Sequence, residues 1–176
     1  MCALTSKTLD IRTKNSKNWV RSRAKNSYYV VLAARGGSAT GHAFVVWGIE
    51  EGVHHRTTIR AFGLYPESDS ANCSVLTRNV PGNLLDELKT HSFQAITMEL
   101  IVRVDKRDFE RSWRVARQWD CQHEFSLLRR DCVEFVRAVG ISLGLEMPAR
   151  GMFHAMPQSY IRAVLDSVSE AGATEW

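Results

Sequence analysis

Two residues combine a reactive side chain with an address that suits chemistry, Cys132 and His42. In the stretch RRDCVEFVRAVGISLG, Cys132, Phe135, Val136, Val139 and Leu143 fall at i, i+3, i+4, i+7 and i+11, one face of a helix. Asp131 and Glu134 stand where an Asp-x-x-Glu variant of the capping box puts its N-cap and N3 residues, so the helix is expected to open at Cys132. Unsatisfied backbone N–H groups and the positive end of the helix dipole favour a thiolate there, and the thiolate is the nucleophilic form. The same position also suits a small buried hydrophobe, and Asp131 and Glu134 offset part of the dipole's pull.

A thiol nucleophile needs a base, and imidazole takes the thiol proton near neutral pH and later hands it to a leaving group. His42 lies in Gly41-His42-Ala43-Phe44-Val45, at the start of a strand-like run. Period-two alternation puts His42, Phe44 and Val46 on one face, an arrangement equally open to a core histidine.

Asp131-Cys132-Val133-Glu134-Phe135-Val136 resembles the Asp-Cys-Ser-Gly-Phe-Val motif of NlpC-type papain-like cell-wall peptidases, whose cysteine opens a helix. Those enzymes carry their histidine after the cysteine. Here the strand histidine comes first and the helix cysteine last, the order of the circularly permuted relatives that include the lecithin:retinol acyltransferase group. Residues 41–48, 62–66 and 132–145 with Pro148 carry the resemblance, and Val133 and Glu134 replace the small residues of the peptidase motif. The resemblance implies a permuted papain-like fold with Cys132 as nucleophile and His42 as base. It further implies cleavage of an amide in a peptide or peptidoglycan-type substrate through an acyl-enzyme. A lipid acyltransferase or thioesterase, and a catalytically silent binding module, are the alternatives on the same fold.

Papain-like sites add a polar group that orients the imidazole. The acyltransferase group's spacing selects His54. A tight Glu50-Glu51-Gly52 turn would instead pair His42 with about Arg60 and leave Thr58 nearest. The third position stays open between these.

The elements that must hold these groups follow from local pattern. Strands are expected over 27–34, 41–48, 54–65 and 95–104, and helices from Asp105 to about Trp119, from Cys132 to Leu143 and from about Gln158 to Val168. Residues 67–92, rich in Ser, Asn, Asp, Pro and Gly, read as mostly loop with a short helical piece near Leu84 to Leu88. In Phe62-Gly63-Leu64-Tyr65-Pro66, Gly63 allows a close backbone approach. Strands followed by helices give an α+β class, an antiparallel sheet packed by helices on one side.

The chain has 176 residues, 44% of them hydrophobic, enough for one core and a single domain over residues 1–176. No run reaches the length of a membrane span, and the first residues hold no apolar stretch of signal-peptide length, so the chain is expected in the cytosol as made. Together with the resemblance, this suits a bacterial toxin exported by a dedicated secretion machine, with a cognate immunity or delivery protein as partner. The net charge of +4 is concentrated in a basic segment over residues 1–26, read as a solvated, partly mobile arm. No interleaving of aromatic and basic residues follows it, which gives nucleic acid little support as a partner. The four cysteines, Cys2, Cys73, Cys121 and Cys132, lack paired spacing and read as free thiols. Cys121, His123, Cys132 and His154 lack zinc-finger or ribbon spacing, so neither metal nor cofactor is expected.

Overall fold

The computed structural model describes residues 5–10, 26–36, 41–51, 55–67, 78–89, 96–127, 129–151 and 156–173. In chain order these give β1 (Thr5–Asp10), β2 (Asn26–Arg35), β3 (His42–Glu51), β4 (His55–Pro66), β5 (Val80–Asp86), β6 (Ile96–Val104), α1 (Lys106–Asp120), β7 (Glu124–Phe125), α2 (Cys132–Ser142) and α3 (Pro157–Ala173). The strands make one sheet in the order β1-β6-β2-β3-β4-β5-β7. All neighbouring pairs are antiparallel except β1, which lies parallel to β6 with Thr5 opposite Met98. The α+β class expected from the order of elements is the one found.

Apolar residues of β2, β3 and β6 alternate between two cores. On one face Val30, Leu32, Ala43, Val45, Trp47, Leu100 and Val102 pack against residues of all three helices. On the other face Tyr29, Val31, Phe44, Val46 and Ile101 form a smaller cluster. The helical stripe behind Cys132 is buried as its spacing requires, with Phe135, Val136 and Val139 wholly inside. Each such side chain contributes roughly 1.5–3 kcal/mol through removal from water. Trp47 tolerates burial because its indole N–H donates to Ser112 Oγ at 2.9 Å, and Trp113 meets its ring edge-on.

Two expectations are corrected. Residues 80–86 form strand β5 between β4 and β7, and residues 87–89 form a turn, so no helical piece lies near Leu84 to Leu88. Pro81, Gly82 and Asn83 disguise the strand. A side chain at Gly82 would lie 2.6 Å from Phe125 Cβ, so the close approach of β7 requires glycine there. Within the basic N-terminal segment Thr5–Asp10 pairs with β6, and residues 1–4 and 11–25 lie outside the described residues. The second correction is that Arg60 pairs with Trp47 and not with His42, because Glu51 lies opposite His55 and the register shifts between Trp47 and Gly48.

Candidate active site

The helix start is built as its sequence specifies. Asp131 Oδ1 accepts from Val133 N at 3.1 Å and Glu134 N at 3.0 Å, which caps α2 directly before Cys132. Glu134 does not reach back to complete the box; it pairs with Arg137 Nη1 at 3.4 Å, one turn along the helix. Leu143 closes the helix, and Gly144 follows at φ +81, a left-handed conformation that glycine adopts without strain.

Cys132 is 9% exposed, and its sulfur accepts from the backbone N–H of Ala43 and from its own. The expected preference for a thiolate is not realised at rest. Burial first, and the neighbouring Asp131 carboxylate second, push the thiol up to about 12. The N–H of Ala43, Arg150 and the N–H of Cys132 act the other way but are outweighed. Desolvation of an ion in an apolar pocket exceeds what one helix terminus returns.

His42 begins β3 and shares its face with Phe44, whose ring lies parallel at 6.3 Å. That face is opposite the one α2 covers. Cys132 and His42 therefore approach the start of β3 from its two sides, with the Ala43 N–H between them. Among the described residues no hydrogen bond joins the two side chains. Tyr65 links the two sides electrostatically: its ring stacks on His42 at 4.0 Å, and the charge of a Cys132 thiolate acts on its hydroxyl.

The group beside the imidazole is Glu87, 0% exposed, with Oε1 3.2 Å from His42 Nε2. Nε2 is buried, and Glu87 is the group that raises the imidazole's proton affinity, through a hydrogen bond and through its charge. The Tyr65 hydroxyl donates to the same Oε1 at 2.6 Å and accepts from Arg35 Nη2 at 2.6 Å, while Arg35 Nη1 stands 3.8 Å from Oε2. Burial lowers the pKa of His42 more than Glu87 raises it, so the imidazole is neutral near pH 7. The Tyr65 hydroxyl is driven upward by burial and by Glu87, which keeps it a donor.

Gly63 makes this pairing possible. A Cβ there would sit 2.2 Å from His42 Nε2 and 2.5 Å from Glu87 Oε1, so any side chain would occupy the space where the two groups meet. The close approach expected of this glycine is an approach by side chains.

Of the candidates for the third position, Thr58 lies opposite Gly48 and its hydroxyl is 3.3 Å from Tyr29, remote from the start of β3. His54 lies outside the described residues, as do Cys2, Cys73 and His154. Glu87 escaped notice because it stands on neither β3 nor β4. Only the β4–β5 register, with Phe62 opposite Asp86, and the bond from Glu87 N to Ala61 O at 2.9 Å bring it beside the histidine. Reading β5 as a strand was the one available signal.

Cys121 is exposed, and His123 Nδ1 lies 3.2 Å from Asn83 Oδ1. Among the described residues no group of three His, Cys, Asp or Glu side chains is placed to hold a metal, and no helix is long and apolar enough to cross a membrane. Comparison with family models, with curated proteins and with solved structures finds no match to this chain.

Proposed function

We propose that this chain is a cysteine hydrolase of the permuted papain-like kind, cleaving an amide in a peptide or peptidoglycan-type substrate. The observation that carries the reading is the convergence of a capped helix-start thiol on the Ala43 N–H with a buried His42–Glu87 pair one residue away. A buried histidine facing a buried carboxylate at 3.2 Å is a demanding arrangement for a core, and such arrangements gather where chemistry is done.

In the reaction, the Cys132 S–H bond breaks and the proton passes to the His42 imidazole, leaving the electron pair on sulfur. The thiolate attacks the amide carbon, a C–S bond forms, and the C–N bond breaks as the imidazolium protonates the departing amine. Water then attacks the thioester, with His42 taking its proton, and frees the acid and the thiol. Because Glu87 faces Nε2, the nitrogen left for the thiol is Nδ1. Glu87 holds the ring orientation and stabilises the imidazolium that forms, and Tyr65 and Arg35 hold Glu87.

The resting arrangement is protonated on sulfur and lacks the thiol–imidazole hydrogen bond. Turnover therefore requires the His42 ring or the thiol to shift past the start of β3 when substrate enters. Gly41, at φ +68 directly before His42, supplies a backbone position with that freedom.

A second reading, a catalytically silent binding module that keeps the fold, is favoured by one specific observation. The thiol is buried and protonated, on the opposite face of β3 from the histidine. Incubation with peptidoglycan fragments, a model protein and an acyl-lipid ester separates the readings. The expected result is turnover of an amide and a transient acyl adduct on Cys132. Fatty-acid release without amide cleavage would favour the lipid acyltransferase or thioesterase chemistry. Absence of turnover and adduct in folded protein would favour the silent module.

A further inference from the structure

Arg150 lies in the segment after α2 and turns back to the start of that helix. Its segment is anchored by Arg137 Nε and the Tyr160 hydroxyl, which both donate to the Pro148 carbonyl, at 3.3 and 3.0 Å. Arg150 Nη2 donates to the Leu127 carbonyl at 2.6 Å and to Asp131 Oδ2, on the residue directly before Cys132. Its Nη1 is buried and has no acceptor among the described residues. A buried guanidinium N–H without a partner is uncommon, because the water it has lost is replaced by nothing.

Asp131 already accepts three bonds, none of them from that nitrogen. Oδ1 takes two backbone N–H groups of the helix start and Oδ2 takes Nη2. The unserved donor thus suits an anion that forms in place, in a low-dielectric pocket that a free ion would enter only at great expense in solvation. The thiolate of Cys132 is such an anion. The charges acting on this sulfur come from Asp131 before it and from Arg150 after the helix. Tyr65 of β4 senses the sulfur, β3 offers the Ala43 N–H and the neutral His42, and Glu87 follows β5 behind that imidazole. Among the described residues no group of α1 or α3 contributes a charge to it.

We propose that Arg150 is a positioning residue for the thiol, holding the Asp131 cap through Nη2 while the charge of its guanidinium supports negative charge on Cys132. The inference rests on Cys132 being the nucleophile. It identifies Arg150 as the fixed cation that offsets the desolvation of the thiolate when the thiol proton moves to His42.

The test is the pH profile of Cys132 modification by methyl methanethiosulfonate, read site by site by mass spectrometry. Native protein, Arg150→Gln and Arg150→Lys are compared, with circular dichroism to certify the fold. Arg150→Gln should react about tenfold more slowly than native across pH 7 to 9, a tenfold loss of thiolate being one pKa unit. Arg150→Lys keeps the charge but not the planar fork, so its rate should fall between those of native protein and Arg150→Gln. A folded Arg150→Gln whose profile superimposes on the native one overturns the proposal. So does a folded Arg150→Lys slowed well beyond the tenfold expected for loss of the charge, which keeps the test decisive where the glutamine variant does not fold. Labelling needs no turnover, so failure of the hydrolase reading, seen as absent amide cleavage, is read independently of this result.

Discussion

Glu87 Oε1 meets His42 Nε2 at 3.2 Å with both side chains buried, and they meet only because residue 63 carries no side chain. Removing the carboxylate charge at this contact is the simplest probe of its role. Glu87→Gln keeps the shape but no longer favours the imidazolium, and it loosens the hold on ring orientation. Amide turnover should fall by roughly 10²–10⁴-fold, the range spanned by loss of an acid–base contribution or of an orienting carboxylate. Steady-state kinetics check this, and a kcat within twofold of native in folded protein would remove Glu87 from the site.

Gly63→Ala should displace the same pair. Its Cβ overlaps His42 Nε2 and Glu87 Oε1, so one side chain must leave its position, at a cost of about 1–3 kcal/mol for overpacking. In a His42→Ala background much of that cost should disappear, because the nearest colliding atom is gone. Denaturant unfolding of the four proteins in this cycle provides the measurement. Equal costs in both backgrounds would mean that the glycine serves the backbone and not the histidine.

The lowered pKa of His42 gives a signed pH dependence. The folded protein holds the imidazole neutral, while the unfolded chain takes up a proton as pH falls through about 6.5. Stability from this group is therefore whole above that pH and declines as pH drops toward the depressed folded value. Thermal unfolding between pH 7.5 and pH 5 should show a steeper loss in the native protein than in His42→Gln. A difference between the two that stays constant over this range would contradict the neutral buried imidazole.

Thiol reactivity should follow burial in the resting protein. Cys121 is exposed, whereas Cys132 is buried and pushed up to about 12. Iodoacetamide at pH 7.5 should label Cys121 first, and Cys132 should become comparably reactive only when substrate or an analogue opens the site. Mass spectrometry of both sites decides; rapid labelling of Cys132 in the free protein would show an activated thiol already at rest.

The parts of this molecule carried by local pattern were legible in its sequence. The stripe of Cys132, Phe135, Val136 and Val139 and the cap at Asp131 define α2 and its buried face, because a helix side is set by residues a few positions apart. The face shared by His42, Phe44 and Val46 was legible for the same reason. Long-range pairing was not. Glu87 reaches His42 through the register of β5 on β4, and β5 is disguised by Pro81, Gly82 and Asn83. The state of the thiol was missed because helix-end electrostatics is visible in sequence, whereas the burial that overrides it depends on the packing of α2 against the sheet.

Catalysis by Cys132 and His42 as one unit is tested most directly by the pair of single substitutions and their combination. Amide turnover should be abolished in Cys132→Ala and in His42→Ala, with the double variant no worse than either, since a nucleophile without its base and a base without its nucleophile are equally idle. Partial losses that multiply in the double variant, in proteins that remain folded, would contradict the assignment and leave His42 as a packing residue.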